Sequence, residues 1–297
     1  MLYYSLALIS YLIDRVFGEF NYVRHPVVVM GDYIKWFEGR FYGDSIWRGF
    51  WLTLSTVSIV YIVTYLLTQA IERYLYDGLG LVVMALLGST AIASTMLYDS
   101  VKGVISDPQS IRYLVSRDTD ELSPSNINKA AIETYAENLS DGVVAPLFYL
   151  LLFGLEGAMV YKAINTLDSM VGYRDSRYER FGKASALLDD IANLIPSRIT
   201  ALLILLLMGT LQRLKECCHY AKGHKSPNAG YPISAMALSI GIKLGGDTSY
   251  FGQMVEKPYF GVGREIITKS DISQALCLRP RMDIAIILLL SIAWSLS

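Results

Sequence analysis

Carboxylate and amide side chains gather at the edge of a long apolar segment. The stretch YAENLSDGVVAPLFYLLLFG, residues 135–154, contains Glu137, Asn138 and Asp141, and then continues without a charge. A carboxylate beside hydrocarbon is costly unless a partner, a cation or a water-filled cavity receives it. The alternative is a helix stop at Asp141 and Gly142, because Asp and Gly favour turns. We interpret the cluster as part of a site.

The preceding segment predicts a helix from about Ile127 to Leu139, with Ser125 or Asn126 as its cap. A lysine and two glutamates recur at four-residue intervals along it: Lys129, Glu133 and Glu137. This spacing puts all three on one helical face. A solvated stripe with one ion pair is the simpler interpretation and would be sufficient for Glu133 alone.

A second group of polar residues follows the apolar segment. One helical face carries an ammonium, an amide, a carboxylate and a hydroxyl: Lys162, Asn165, Asp168 and Ser169. A loop with several cations and a short helix come next, containing Arg174, Arg177, Asp189, Asp190 and Asn193. Carboxylates suit a hard divalent ion and guanidinium groups suit phosphate, so the group indicates nucleotide or phosphate chemistry. Surface ion pairing is the alternative, and only one of the adjacent aspartates need face a site.

A third polar segment contains the turn Ser226-Pro227-Asn228-Ala229-Gly230. Its hydroxyl, amide and glycine backbone suit an anion, although turn formation alone accounts for the same residue types. The sequence contains neither GxxxxGK[ST] nor a GxGxxG that follows a strand, so it has no recognised nucleotide-binding motif.

Composition indicates that these groups are positioned by membrane helices. Of 297 residues 53% are hydrophobic and only 18% are charged, a balance typical of membrane proteins. The formal net charge of −1 argues against a nucleic-acid partner, which requires an excess of Lys and Arg. The predicted fold is all-α, a polytopic integral membrane protein with helical cytoplasmic loops.

Apolar runs predict where the chain crosses the membrane, and we treat residues 1–297 as one membrane domain. Transmembrane helices are predicted firmly at about 49–71 and 78–98, and further ones at 143–164, 199–212 and 283–297. The cationic segments predict polar cytoplasmic cassettes at 99–142, 165–198 and 213–282. The run 143–164 is interrupted by Gly154, Glu156 and Gly157, so it either crosses fully or doubles back.

Long motifs resemble the CbiB/CobD family, the adenosylcobinamide-phosphate synthases of cobalamin biosynthesis. They are ETYAENLSDGVVAPLFY, YKAINTLDSMVGYRDSRYERFG, ASALLDDIANLIPSR and HKSPNAGYPISAMA, together with LIDRVFGEF and RHPVVVMG near the start. The resemblance covers nearly the whole chain. It implies an integral membrane ligase that uses ATP and Mg²⁺ to join adenosylcobyric acid to aminopropanol phosphate, or to a related amino alcohol phosphate, through an amide bond.

The implied chemistry assigns hypothetical roles to the polar residues. Catalytic roles fall to Glu133, Lys162, Asp168 and Asp190. Substrate-binding roles fall to Asn138, Asn165, Ser169, Arg174, Arg177, Asn193, Ser226 and Asn228. Metal-binding roles fall to Glu137, Asp141, Asp168 and Asp189. We expect all of them to form one hydrated pocket at the membrane surface.

The resemblance also implies a cellular setting. The expected location is the cell (inner) membrane, as a multi-pass protein with its active site on the cytoplasmic side. The expected partners are the corrinoid substrate, the amino alcohol phosphate, the lipid bilayer and other membrane enzymes of the pathway. The alternative function is a membrane transporter, or a sensory membrane protein, for an anionic ligand; the sequence shows no internal repeat of the kind that transporters often have.

Overall fold

Helices account for most of the protein in a computed structural model, which describes residues 3–20, 24–115, 118–119, 122–173, 175–250 and 253–296. Within these residues the α-helices are α1 (Tyr4–Phe17), α2 (Pro26–Phe41), α3 (Ile46–Tyr74), α4 (Asp77–Ser89), α5 (Ser94–Ser106), α6 (Pro124–Leu139), α7 (Ala145–Val171), α8 (Lys183–Ala192), α9 (Leu194–Leu207), α10 (Leu214–Ala221), α11 (Gly230–Ile240), α12 (Lys269–Leu276) and α13 (Leu278–Ser295). Short 3-10 helices occupy Pro108–Tyr113 and Leu211–Arg213, and a π-helical turn occupies Ser140–Val144.

Three helical segments within the described residues are long and apolar enough to cross a membrane. They are Ile46–Tyr74, Asp77–Ser106 and Pro124–Val171, and α8 with α9 would be a fourth if this pair, bent by 47°, forms one span. The two firmly predicted spans fall within the first two segments. The fold is therefore that of an all-α polytopic membrane protein.

A break at Gly154 turns α7 back on itself. Gly154 has φ +67° and ψ −156°, a conformation that residues with a side chain rarely adopt. The rings of Tyr149 and Tyr161 stack with their centroids 5.1 Å apart, whereas 12 residues of continuous helix would separate them by about 18 Å. Ala145 and Ile164 also share a buried cluster with Tyr161. The apolar run therefore doubles back, which decides between the two alternatives that the sequence left.

The break gives α7 the form of a hairpin, with a first arm before Gly154 and a second arm after it. The length of the first arm limits how deep the hairpin can reach. The uncharged part of that arm, residues 142–153, reaches about 18 Å at 1.5 Å per residue. The hydrocarbon layer is about 30 Å thick. The first arm is therefore too short to cross that layer by itself, and we expect the hairpin to enter and leave the bilayer on one side.

One domain is the expectation from the sequence, whereas the contacts divide the chain into two compact units. The first unit comprises Met1–Ala93, Ala145–Asn193 and Leu290–Ser297. In this unit α1 packs against α4, and α7 packs against α2, α3 and α8. Its buried core contains Ile34, Leu52, Leu167, Val171 and Phe181. Because Leu167 and Val171 are held in that core, the second arm of α7 has a fixed orientation.

The second unit comprises Ser94–Val144 and Leu194–Leu289. In this unit α11 packs against α9, α10 and α6, and α6 packs against α5 and α12. Two antiparallel pairs of short strands, which the sequence did not predict, follow α11: β1 (Leu244–Gly245) with β4 (Tyr259–Phe260), and β2 (Thr248–Tyr250) with β3 (Gln253–Val255). Leu244 is opposite Phe260, and Thr248 is opposite Val255.

The start of α6 corrects the predicted cap. The backbone N–H of Asn126 donates to Ser123 Oγ, and Pro124 occupies the first helical position, so Ser123 is the cap instead of Ser125 or Asn126. The hydroxyl of Ser125 accepts a hydrogen bond of 2.9 Å from the backbone N–H of Ile267. At the other end the helix continues through the π-helical turn at Asp141 and Gly142, so the alternative of a helix stop there is wrong.

Thr268 and Asp271 form a capping box at the start of α12. This arrangement predicts that the stability of the fold depends on pH. Burial raises the pKa of Asp271, but hydrogen bonds from Arg264 and Thr268 outweigh it and hold the pKa below the ordinary 3.8. A lowered folded-state pKa stabilises the fold above the unfolded-state pKa, and this contribution is lost as pH falls through the folded-state pKa. We expect Asp271→Asn to lower the free energy of unfolding by about 1–2 kcal/mol at pH 7.

Thermal unfolding in detergent between pH 7 and pH 3 checks this prediction. The difference between wild type and Asp271→Asn should shrink as pH falls through the folded-state pKa. Glu265→Gln is the matched control, because Glu265 forms an exposed ion pair with Lys243 and should contribute little. A difference that stays constant over the whole pH range would contradict the role of the Asp271 carboxylate.

Candidate functional site

Several predicted site residues meet in the first unit, where α8 packs against the second arm of α7. Asn193 is 1% exposed and Asp189 is 9% exposed. Asn193 Nδ2 donates to Asp189 Oδ2 at 3.3 Å, and the Asn165 side chain on α7 lies close enough to act on the Asp189 carboxylate. Asp189 is therefore the aspartate that faces α7.

A tyrosine that the sequence patterns did not single out completes this network. Tyr161 Oη donates to Asn193 Oδ1 at 2.9 Å, and the Tyr161 side chain is 1% exposed. Its ring stacks on Tyr149, whose hydroxyl donates to the carbonyl of Ala192 at 2.9 Å. Because Asn193 accepts from Tyr161, its amide must donate toward Asp189, and the network fixes the orientation of that carboxylate.

One oxygen of this buried carboxylate has no hydrogen-bond partner. Asp189 Oδ1 is inaccessible to solvent and accepts no hydrogen bond. Asp168 and Asp190 lie close enough for their negative charges to act on Asp189, and both side chains are half-buried. A buried charge without compensation is costly, so either a proton or a cation has to neutralise Asp189.

The donor types fit Mg²⁺, which usually takes one or two carboxylates and completes its shell with phosphate oxygens and water. Among the residues that the structure describes, no group of three or more His, Cys, Asp or Glu side chains is arranged to hold a metal ion. Mg²⁺ binding at Asp189 therefore stays a prediction.

Other predicted residues near this network have different environments. Lys162 is half-buried and Ser169 is exposed, with its hydroxyl donating to the carbonyl of Asn165 at 2.8 Å. Arg177 forms hydrogen bonds of 3.1 and 2.7 Å to Glu38 on α2. The hydrogen bonds to Glu38 and Tyr178 raise the pKa of Arg177. Its charge is thus matched by a carboxylate in the structure. Arg174 lies outside the described residues.

The remaining predicted residues belong to the second unit. Glu133 and Lys129, both buried on α6, bind the same residue of β1: the backbone N–H of Gly245 donates to Glu133 Oε1 at 2.6 Å, and Lys129 Nζ donates to the Gly245 carbonyl at 3.0 Å. The face predicted from the four-residue spacing thus holds the segment that contains β1. Glu133 therefore has a clear structural function, whether or not it also acts in catalysis.

A π-helical turn holds one of the polar residues at the end of α6. Such a turn inserts one extra residue into a helix and is frequent at functional sites. Asp141 lies within this turn and is half-buried, as is Glu137. Asn138 is exposed and donates to the carbonyl of Thr134 at 3.0 Å. The metal-binding role of Glu137 and Asp141 stays a prediction.

The predicted anion-binding turn is held together by its own hydrogen bonds. Ser226 Oγ accepts from the backbone N–H groups of Asn228 (3.2 Å) and Ala229 (3.4 Å). His224 Nδ1 accepts from the N–H of Ser226 at 3.1 Å, and burial lowers the pKa of His224. These contacts occupy the N–H groups of Ser226, Asn228 and Ala229, so an anion here would need other donors.

Arg198, which the sequence patterns did not single out, is attached to this turn. Its Nη1 donates to Asn228 Oδ1 at 3.1 Å and its Nη2 donates to the carbonyl of Pro227 at 3.2 Å. The guanidinium lies 4.2 Å from the centroid of the Tyr231 ring. Arg198 directly precedes the apolar run of α9, and a cation in that position requires partners. This position in the sequence is the signal that could have identified Arg198.

The predicted residues thus form two groups, one in each unit, and a single shared pocket stays a prediction.

Comparison with known proteins identifies the family. The family model described as CobD/Cbib protein matches residues 7–279. A cobalamin biosynthesis protein CobD from Halalkalibacterium halodurans is 39% identical, over 93% of this chain and 92% of that protein. Proteins of the same name from Listeria monocytogenes (37% identical; 90% of each chain) and Geobacter metallireducens (39%; 86% of each chain) are also similar. No solved structure was found to match. The chain therefore belongs to the CobD/Cbib family.

Proposed function

We propose that the protein is an adenosylcobinamide-phosphate synthase, a membrane enzyme of cobalamin biosynthesis. It joins a propionate carboxylate of adenosylcobyric acid to the amine of aminopropanol phosphate, or of a related amino alcohol phosphate, with ATP as the activating substrate. The similarity to proteins named for cobalamin biosynthesis supports the pathway. The buried Asp189 carboxylate oxygen without a hydrogen-bond partner is the structural observation that carries the proposal.

The reaction requires activation, because a carboxylate would have to expel oxide to form an amide directly. In the proposed sequence the propionate oxygen attacks the γ-phosphorus of ATP, ADP leaves, and an acyl phosphate forms. The amine then attacks the acyl carbon, the C–O bond to phosphate breaks, and inorganic phosphate leaves. The attacking ammonium loses one proton before the C–N bond forms, so the reaction needs a base.

The first-unit network supplies side chains for several of these tasks. Asp189 and Asp168 would hold Mg²⁺, which neutralises charge on the triphosphate when it is bound. Asn193 and Tyr161 keep Asp189 in one orientation. Lys162 lies on the same arm of α7 as Asp168, and its ammonium would neutralise charge on the transferred phosphoryl group. Asp190, beside Asp189 on α8, would accept the proton from the amine.

We place the catalytic side of the protein in the cytoplasm and the helices in the cell membrane, where other membrane enzymes of the pathway would take the product. The second-unit residues Asn138, Ser226 and Asn228 would bind the corrinoid amides or the amino alcohol phosphate. Glu137 and Asp141 would provide further oxygen ligands for a cation.

A defined reaction in detergent tests the proposal. The purified full-length protein is mixed with Mg²⁺, ATP, adenosylcobyric acid and aminopropanol phosphate, and both ADP and the amide product are followed, the product by mass spectrometry. ADP and amide should appear in equal amounts, and only when adenosylcobyric acid and aminopropanol phosphate are both present. A transporter or a sensor would bind a substrate without forming ADP or amide, and that outcome would reject the ligase.

Tyr161→Phe tests the positioning part of the proposal. The substitution removes the hydroxyl that donates to Asn193 Oδ1 and keeps the ring that stacks on Tyr149. We expect kcat to fall by about tenfold while the KM for aminopropanol phosphate stays constant, since a lost hydrogen bond is worth about 0.5–1.5 kcal/mol. Tyr65→Phe, at an exposed tyrosine of α3, is the control. An unchanged kcat in Tyr161→Phe would remove Tyr161 from the site.

A further inference from the structure

The exposed surface of the first unit has an aromatic band at each end of α3. Trp47 (72% exposed) and Trp51 (57%) lie in the first turns of α3, and Tyr74 (77%) and Tyr76 (73%) lie at its far end. From Trp47 to Tyr74 the helix rises about 40 Å, which matches a bilayer with its headgroup regions, about 40–45 Å. Trp and Tyr are enriched at both membrane interfaces, so the two bands mark the two headgroup layers.

Helix α2 ends at the level of the tryptophan band. Four residues separate its last residue, Phe41, from the start of α3. Arg48 in the first turn of α3 donates to the carbonyl of Tyr42 at 2.8 Å and to that of Phe41 at 3.3 Å. These bonds tie the end of α2 to the first turn of α3. The exposed surface of α2 is therefore continuous with the membrane-facing surface of α3.

The exposed face of α2 has a composition that suits neither water nor hydrocarbon. Trp36 is 56% exposed, and Val28 and Val29 are 49% and 52% exposed. The same face carries three charged residues with exposed side chains, Asp32, Lys35 and Arg40. Large apolar groups disfavour water and charges disfavour hydrocarbon, whereas the headgroup layer accommodates both.

We propose that α2 lies in the phospholipid headgroup layer as an interfacial helix. Its buried side is occupied by the protein: Ile34 is in the core of the first unit, and Glu38 binds Arg177 and Tyr178. The opposite side, centred on Trp36, faces lipid. The helix thereby fixes the depth of residues 175–182 relative to the membrane surface.

Three of the four tryptophans of the chain lie in this region, so fluorescence quenching can measure its depth. Single-tryptophan variants retain Trp36, Trp47 or Trp51 and carry phenylalanine at the other three positions, including Trp294→Phe. Each full-length variant is reconstituted into phosphatidylcholine vesicles that contain a nitroxide on the headgroup, at acyl carbon 5 or at acyl carbon 12.

The expected result is an order of quenching. Trp36 and Trp47 should be quenched by the headgroup nitroxide at least about twofold more strongly than by the carbon-12 nitroxide, as interfacial residues are. Trp51 should lie about 6 Å deeper than Trp47, because four residues of helix separate them.

Three outcomes would overturn the proposal. If aqueous iodide quenches Trp36 and no labelled lipid does, α2 lies in water. If the carbon-12 nitroxide quenches Trp36 most strongly, α2 lies in hydrocarbon. If neither iodide nor any labelled lipid quenches it, protein covers the face, as in contact with a second copy.

A simpler variant covers the case in which the single-tryptophan proteins fold poorly. Trp36→Phe in the otherwise unchanged chain should reduce the total quenching by the headgroup nitroxide and leave quenching by the carbon-12 nitroxide unaltered. Equal headgroup quenching with and without Trp36 would reject the interfacial position. Neither quenching test depends on enzymatic activity, so the position of α2 is tested independently of the proposed reaction.

Discussion

Asp189→Asn should reduce kcat for amide formation by about 10²–10³-fold, the usual cost of losing one group that stabilises charge in a transition state. The amide keeps the shape of the side chain and an oxygen that accepts from Asn193. Its NH₂ group, however, takes the place of Oδ1, the buried oxygen without a hydrogen-bond partner. A cation cannot bind to an N–H donor, so the Mg²⁺ concentration needed for half-maximal rate should rise.

The same substitution should not reduce stability. Asp189 is buried and repelled by Asp168 and Asp190, so removing its charge relieves an unfavourable interaction. We expect an unchanged or higher melting temperature together with the lost activity. This combination distinguishes a functional carboxylate from a structural one, because a misfolded variant would lose both.

Glu179→Gln is the matched control for Asp189→Asn. Glu179 is an exposed carboxylate in the segment that precedes α8. The control should retain the wild-type kcat and the wild-type dependence on Mg²⁺. If Asp189→Asn also retains both, the proposed cation site does not exist.

The second large effect is expected at Gly154. Alanine there must adopt φ +67°, and its Cβ would lie 3.0 Å from Cζ of the Tyr3 ring. Backbone strain of this kind costs about 1–3 kcal/mol, and the close contact adds to it. We expect Gly154→Ala to lower the midpoint of unfolding in detergent and the yield of folded protein.

Gly39→Ala provides the comparison for Gly154→Ala. Gly39 lies in α2, and a methyl group on its Cα would meet no neighbouring atom within 4 Å. Alanine favours helices, so this variant should be as stable as the wild type or more stable, by up to about 1 kcal/mol. Equal unfolding midpoints for the two variants would show that the break at Gly154 carries no strain.

Helices and polar groups were predictable because both depend on local patterns. Uncharged runs of more than about twenty residues indicate spans, and the described helix Ile46–Tyr74 contains the predicted 49–71. The strands were missed because they are short, and β1 and β4 have only two residues each. Their pairing, such as that of Leu244 with Phe260, depends on residues that are distant in the sequence. Ser123 was missed because Ser125 and Asn126 are equally good caps by residue type alone.

The candidate site was predictable in residue type but not in arrangement. Adjacent aspartates such as Asp189 and Asp190 cannot be distinguished until the helix that faces them is known. Tyr161 resembles a core aromatic residue in the sequence, and only the position of Asn193 shows what its hydroxyl does. The partner of Arg177 is Glu38, which is distant in the sequence, and no local pattern indicates such a pair.

The hairpin at Gly154 simplifies insertion of the chain during synthesis. The loop after α7 and the first residue of α8 carry three cations, Arg177, Arg180 and Lys183. Moving each such cation through the bilayer centre costs about 2.5–3.5 kcal/mol on the translocon scale. A segment that withdraws on the side where it entered leaves these cations in the compartment where they were made. Reporter fusions after residue 144 and after residue 182 should therefore label the same compartment.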